Sequence, residues 1–172
     1  MNELTNKIHA AMGRIKAELV LKDAFIINVF TQTVEKKDIA INDGIIVGIG
    51  KYEGNHEINC SGFFVAPGFI DSHVHIESSM VTPEIFSDLV IKKGVTTIIA
   101  DPHEIANVLG EKGIEFMLEN SKKGDVDIFF MLPSCVPAVD FEDNGAVLEA
   151  DNLEKFIEDP QVLGLGEVMD VN

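Results

Sequence analysis

The sequence predicts an α/β protein in which a small β-domain precedes a parallel sheet covered by helices. Short strands joined by tight turns fill residues 18–64, and Asn42-Asp43-Gly44 is typical of a β-hairpin. After Pro67, near-continuous apolar strands alternate with amphipathic helices, which indicates a parallel sheet with helices on its faces. Each of these later strands is followed by polar residues, as expected where parallel strands present functional side chains at their carboxyl ends.

A short helix is predicted ahead of the β-domain. Apolar residues recur at an approximate helical spacing from Ile8 through Met12 to Ile15. The predicted organisation is therefore a leading helix in residues 1–17, a β-domain in 18–64 and an α/β region in 65–172.

The α/β region divides into strands and helices at recognisable signals. Thr82 is predicted as the N-cap of a helix with Pro83 at its first position, and Gly94 as its end. Further helices are predicted at 111–123 and from Asp151 onwards. The predicted strands after the first one are Val95–Ala100, Val126–Leu132 and Val162–Gly166.

The first strand of this region carries a metal-ligand pattern. Asp71, His73, His75 and Glu77 alternate with apolar residues in a strand predicted to end near Glu77. Alternation places the four polar side chains on one face, so the two imidazoles converge as a first-row metal ion requires. The alternative is a pair of histidines whose hydrogen bonds are satisfied by neighbouring carboxylates.

The later strands also end in groups that can do chemistry. Asp101 and His103 follow the second strand, Ser134 and Cys135 the third, and Glu167 the fourth. Each of these residues alone is explained as a polar residue of a solvated loop. Their occurrence after successive parallel strands, whose carboxyl ends lie at the same end of the sheet, predicts a functional site there.

Composition narrows the partners and the compartment. The formal net charge of −16 excludes nucleic acid and anionic membrane as expected partners, because both repel an acidic surface. The first residues lack the apolar core of a signal peptide, and the two cysteines are far apart, so we expect a cytoplasmic protein without a disulfide framework.

Three segments together resemble the bacterial and archaeal adenine deaminases of the amidohydrolase superfamily. They begin at His75 (His-Ile-Glu-Ser-Ser-Met), Asp101 (Asp-Pro-His-Glu-Ile-Ala-Asn) and Gly164 (Gly-Leu-Gly-Glu-Val-Met). The resemblance implies a small β-domain followed by a metal-binding (β/α)8 barrel, of which this chain holds the first four strands. An eightfold barrel takes about 250 residues, so the barrel is expected to be incomplete here.

The resemblance also implies residue roles. His73 and His75 would bind metal, and Glu167 would bridge two divalent ions; manganese or iron suits this donor set best, and zinc is compatible. The metals would lower the pKa of a shared water for attack on C6 of adenine, giving hypoxanthine and ammonia in purine salvage. Asp71, Glu77 and Asp101 would orient ligands or substrate. His103 would either touch the purine or cap the following helix.

Several alternatives accompany this interpretation. His75-Ile76-Glu77 matches half of the cytidine-deaminase zinc signature, but Pro133-Ser134-Cys135-Val136-Pro137 does not supply the Pro-Cys-x-x-Cys half. A natural half-barrel acting as a binding or assembly module would need a partner to cover its open edge. Another amidohydrolase acting on a cyclic amide is a further possibility. For the complete enzyme we expect a homo-oligomer, and for this chain alone no useful activity.

Overall fold

The chain divides into two compact units, with the boundary in the sequence between Pro67 and Gly68. The computed structural model describes residues 3–139 and 141–169. We call the part up to Pro67 the first unit and the part from Gly68 the second unit. None of the helices in the described residues is both long and apolar enough to span a membrane.

The first unit opens with helix α1 (Glu3–Ala11), which is shorter than the helix predicted for residues 1–17. Gly13 has φ +65°, a left-handed conformation that a glycine adopts without a Cβ penalty. Its N–H donates to the Ala10 carbonyl and the Arg14 N–H donates to the His9 carbonyl, both at 2.9 Å. This pair of bonds closes the helix in a Schellman motif, so the following residues are free to enter a strand.

Five strands form a single sheet in the first unit. The strands are β1 Ala17–Asn28, β2 Thr33–Asn42, β3 Ile45–Gly50, β4 Gly54–Asn59 and β5 Phe64–Val65. Their order in the sheet is β3-β2-β1-β4, with the short β5 also paired to β1. β1 runs antiparallel to β2 and parallel to β4 and β5. The hairpin between β2 and β3 turns at Asp43 and Gly44, both with positive φ as a tight primed turn requires.

A buried carboxylate holds this sheet together beside two small apolar clusters. Asp38 on β2 is 6% exposed and accepts hydrogen bonds from Lys22 Nζ (2.6 Å), the Asp23 N–H (2.9 Å) and the Tyr52 N–H (3.2 Å). Burial opposes ionisation of Asp38, but these three donors outweigh it and lower the pKa of its carboxyl. Asp38 therefore ties β1 to β2 and to the connection between β3 and β4.

The second unit is a four-stranded parallel sheet with helices between the strands, which confirms the predicted α/β class. Its elements are β6 Phe69–Val74, α2 Pro83–Val90, β7 Val95–Ala100, α3 His103–Leu109, α4 Glu111–Ser121, β8 Asp127–Leu132, α5 Ala150–Leu153 and β9 Val162–Leu165. The strand order β6-β7-β8-β9 follows the sequence, and every neighbouring pair is parallel.

One capping hydrogen bond and one helix differ from the sequence prediction. Thr82 occupies the N-cap position of α2, but its side chain makes no capping hydrogen bond, and Asn120 Oδ1 accepts the Glu84 N–H instead (3.1 Å). The helix predicted at 111–123 is preceded by α3, which was not predicted from the sequence. Gly110, with φ +62°, separates α3 from α4.

The core of the second unit lies between the sheet and the helices that cover it. Phe130 on β8, Ile98 on β7 and Ile114 on α4 are fully buried there. Ile76, directly after the paired histidines, is buried in the same cluster. This packing fixes the carboxyl ends of the strands, where the predicted site residues lie.

Candidate metal centre

The site begins where β6 ends. The strand stops at Val74 rather than near Glu77, and residues 76–79 form a 3₁₀ turn. His75 is still extended (φ −104°, ψ 102°), so the alternation of faces persists for the two histidines. It does not extend to Glu77, whose side chain is placed by the turn rather than by a strand.

His73, His75 and Glu167 converge from opposite ends of the second unit's sequence. The two carboxylate oxygens of Glu167 face different rings: Oε2 lies 3.7 Å from His73 Nε2, and Oε1 lies 3.6 Å from His75 Nε2. One donor atom from each residue lies within 4.8 Å of the others. Two imidazoles and a carboxylate at this spacing fit a first-row divalent metal ion.

The orientation of His75 supports that fit. Its Nδ1 lies 2.8 Å from the backbone carbonyl oxygen of Asp101, a contact that requires the proton on Nδ1. The lone pair on Nε2 is then directed towards Glu167 and free to bind a metal. Metal-binding histidines are commonly held by a carbonyl acceptor in this way.

Asp101 connects several parts of the cluster. Asp101 is 1% exposed, and its Oδ2 accepts the Glu167 N–H at 3.1 Å. Its Oδ1 is buried and has no hydrogen-bond partner among the described residues, although His103 Nδ1 lies 3.4 Å away. A buried carboxylate oxygen without a donor indicates a place for a proton or a cation.

His103 points into the cluster from the first position of α3. Its Nδ1 lies 3.6 Å from Glu167 Oε1, and its ring packs edge-on against His75 with 4.6 Å between centroids. Pro102 stands at the N-cap of α3, which has no side-chain capping hydrogen bond. The described structure therefore places His103 at the cluster and does not show the capping role considered above. Asp101, His103 and Glu167 form a second group with metal-ligand spacing that shares Glu167 with the first.

Glu77 and Asp71 lie outside these donor groups. Glu77 Oε1 accepts the Ile105 N–H at 3.2 Å, so this carboxylate links the 3₁₀ turn to α3. Burial raises the pKa of Glu77, and its Oε2 has no hydrogen-bond partner in the described part of the chain. Asp71 Oδ1 accepts the His73 N–H at 3.3 Å, a local contact within β6.

One acidic residue of the site was not singled out from the sequence. Glu104 has metal-ligand spacing with His75 and His103, and it accepts a hydrogen bond from the Ser78 hydroxyl at 2.7 Å. Glu104 directly follows His103 in the first turn of α3, and this position could have indicated its role. The helix itself was not predicted from the sequence.

A small pocket opens beside His103. It has a volume of about 250 Å³. Near this pocket, Ser134, two residues after β8, donates its hydroxyl hydrogen to the Glu167 carbonyl, so the segment that follows β8 also contacts the site. The pocket is lined by His103, Glu104, Asn107, Cys135, Ala138, Glu142 and Met169.

Sequence comparison identifies the class of this protein. Residues 64–170 match the sequence profile described as the Amidohydrolase family, and the chain belongs to that family. Over 97% of its length the chain is 56% identical to an adenine deaminase from Bacillus velezensis, and over 96% it is 55% identical to one from Clostridium acetobutylicum. The resemblance inferred from the motifs is thereby confirmed. The chain spans 29% of the length of each of these relatives.

Solved structures share the fold at much lower sequence identity. A D-hydantoinase from Thermus sp. superposes with a TM-score of 0.59 at 22% identity, covering 81% of this chain and 31% of that one. The zinc complex of atrazine chlorohydrolase from Arthrobacter aurescens gives 0.60 at 16% identity, covering 86% and 46%. These likenesses establish the fold and not the reaction.

Proposed function

We propose that this chain is the N-terminal part of a metal-dependent adenine deaminase that converts adenine to hypoxanthine and ammonia. One observation carries the proposal. His73, His75 and Glu167 come within metal-ligand distance of one another in a chain that is 56% identical to an adenine deaminase over 97% of its length. The low-identity structural relatives act on other substrates, so the substrate rests on the sequence relatives.

His73, His75 and Glu167 would hold the metal, and in the complete enzyme Glu167 would be a ligand shared by two ions. A mixed nitrogen and oxygen donor set suits manganese or iron and is compatible with zinc, the metal in the chlorohydrolase complex. When bound, divalent metal ions make hydroxide available near neutral pH. We propose manganese as the native metal.

The surrounding residues would orient the ligands and handle a proton. Asp101 holds His75 through its backbone carbonyl and Glu167 through its side chain, so one buried residue sets two ligand directions. His103 Nδ1 lies between carboxylate oxygens of Asp101 and Glu167, where it can hold a proton next to the pocket. Glu77 would position α3, which carries His103.

The pocket beside His103 would accept the purine. Its volume of about 250 Å³ lies below the range of about 300–1,000 Å³ found for drug-sized ligands, so a free base fits better than a nucleoside. Carboxylates and an amide among its lining residues offer acceptors for the N–H groups of a purine.

We further propose that strands beyond this chain complete a (β/α)8 barrel, and that the complete enzyme is a cytoplasmic homo-oligomer of purine salvage. The net charge of −16 favours a small-molecule substrate over nucleic acid or a membrane surface. The isolated chain would have no useful turnover, because the side chains of His73 and Glu167 are 50% and 41% exposed, and bulk water weakens the electrostatic interactions that the reaction needs.

The test is ammonia release from adenine by the longer protein that contains this chain, loaded with manganese. Adenine should turn over, adenosine and cytosine should not, and His73→Ala should abolish activity. Faster turnover of a hydantoin or of cytosine than of adenine would assign the protein to another amidohydrolase activity. In the same assay the 172-residue chain should be inactive; metal-dependent turnover by this chain alone would contradict the proposed completion by later strands.

A further inference from the structure

The first unit contains a cavity with an unusual charge for so acidic a chain. It has a volume of about 580 Å³ and is lined by eight residues. Four of the 13 lysine and arginine residues of the chain are among them, although the chain carries a net charge of −16. The lining residues are Gly13, Arg14, Ile15, Lys16, Lys22, Lys51, Tyr52 and Glu53.

The walls of this cavity are tied together by hydrogen bonds. One wall follows α1 and the other follows β3. The Tyr52 hydroxyl donates to the Ala11 carbonyl at 2.9 Å, and the Ala17 N–H donates to the Glu53 carbonyl at 3.0 Å. Lys22 lies on β1, and its Nζ donates a hydrogen bond to the Tyr52 carbonyl at 2.7 Å. The Schellman motif at Gly13 fixes the turn that presents Arg14, so the cavity is preformed.

The lysines and the arginine differ in whether they already have a partner. Lys22 is neutralised by the buried Asp38 at 2.6 Å. Lys16 lies 3.5 Å from Glu53, and both side chains are more than half exposed, which makes this pair weak. Within residues 3–139 and 141–169, no carboxylate lies within 4.0 Å of the side-chain nitrogens of Arg14 or Lys51. Arg14 and Lys51 therefore line the cavity without an ion-pair partner among the described residues, and Glu53 is the one acidic side chain in the lining.

We propose that this cavity binds a phosphate-bearing small molecule. A guanidinium recognises phosphate oxygens in a bidentate manner and an ammonium adds a point charge, and Arg14 and Lys51 supply one of each. The volume lies within the range of small-molecule sites. A long polyanion is disfavoured, because the chain as a whole carries a net charge of −16. This inference does not depend on the proposed deaminase function.

Isothermal titration calorimetry with inorganic pyrophosphate tests the site. The 172-residue protein should show one saturable site at low ionic strength. Replacing both cations, Arg14→Gln with Lys51→Gln, should weaken binding at least about tenfold, because two charge-assisted contacts are lost. Both side chains are exposed, so the variant should keep its fold, which circular dichroism verifies.

The matched control is Lys92→Gln with Lys93→Gln, which removes the same charge from two exposed residues of the second unit. It should leave the pyrophosphate affinity unchanged. Absence of saturable binding by the wild-type protein would overturn the proposal. Equal weakening in the two double variants would also overturn it, since the effect would then reflect net charge and not the cavity.

Discussion

Gly166 determines how closely Glu167 approaches Asp101. A Cβ at this glycine would lie 2.2 Å from Asp101 Oδ2 and 3.1 Å from the Leu132 carbonyl oxygen. Asp101 is 1% exposed and already accepts the Glu167 N–H, so it has little room to move. Gly166→Ala should therefore cost about 1–3 kcal/mol from overpacking. Displacement of Glu167 would also break a charge-assisted hydrogen bond worth about 1.5–3 kcal/mol.

The measurable consequence is a weaker metal site. Loss of a group that orients a metal ligand typically lowers metal affinity about 10- to 100-fold, and we expect a loss in that range. Titration with Mn²⁺, followed by the electron paramagnetic resonance signal of the free ion, gives the affinity directly. Gly50→Ala is the control, because its added Cβ would make an ordinary 3.4 Å contact with Tyr52 and should not change binding. Wild-type Mn²⁺ affinity in Gly166→Ala would refute the reasoning.

Three further predictions concern the metal and the stability of each unit. His75→Ala should remove most bound metal, measured by elemental analysis, because a metal-facing Nε2 is lost. Asp38→Ala should destabilise the protein by about 3 kcal/mol in urea, because the partly buried Lys22 and two backbone N–H groups lose their acceptor. The lowered pKa of Asp38 means that its contribution is present above about pH 4 and is lost as the pH falls through its folded-state pKa. Phe130→Ala should cost about 3–5 kcal/mol in urea unfolding, because this fully buried ring leaves a cavity in the core.

Each of these predictions has a clear contrary result. Unchanged metal content in His75→Ala would remove His75 from the ligand set. The same acid sensitivity of unfolding in wild type and Asp38→Ala would show that this carboxyl does not control stability in that range. A loss below about 1 kcal/mol in Phe130→Ala would mean that the site of the ring collapses without a cavity.

The sequence was most informative where a local pattern and a local structure coincide. Alternation of polar and apolar residues predicted that His73 and His75 share a face, and both lie within metal-ligand distance of Glu167 in the structure. The parallel sheet followed from apolar strands separated by amphipathic helices. The Asp43-Gly44 hairpin followed from turn chemistry, because positive φ at both residues favours those residue types.

Local patterns failed where distant groups decide the geometry. The strand that carries the histidines ends three residues earlier than predicted, because Ile76 is buried in the core and the chain turns there into a 3₁₀ segment. Helix α3 was missed because its seven residues are too few to show a clear period. Thr82 is the N-cap residue of α2 as predicted, but the Glu84 N–H donates its hydrogen bond to Asn120 of α4 and not to the Thr82 side chain.

By itself the sequence determined which residues are available as ligands and at which strand ends they lie, because the periods of strands and helices are local properties of the chain. Only the tertiary structure decided how they meet. Asp101 binds His75 through a carbonyl and Glu167 through a carboxylate, and these contacts join residues 26 and 66 positions apart. They depend on the parallel register of the sheet, and on the absence of a side chain at Gly166, where a Cβ would lie 2.2 Å from Asp101 Oδ2.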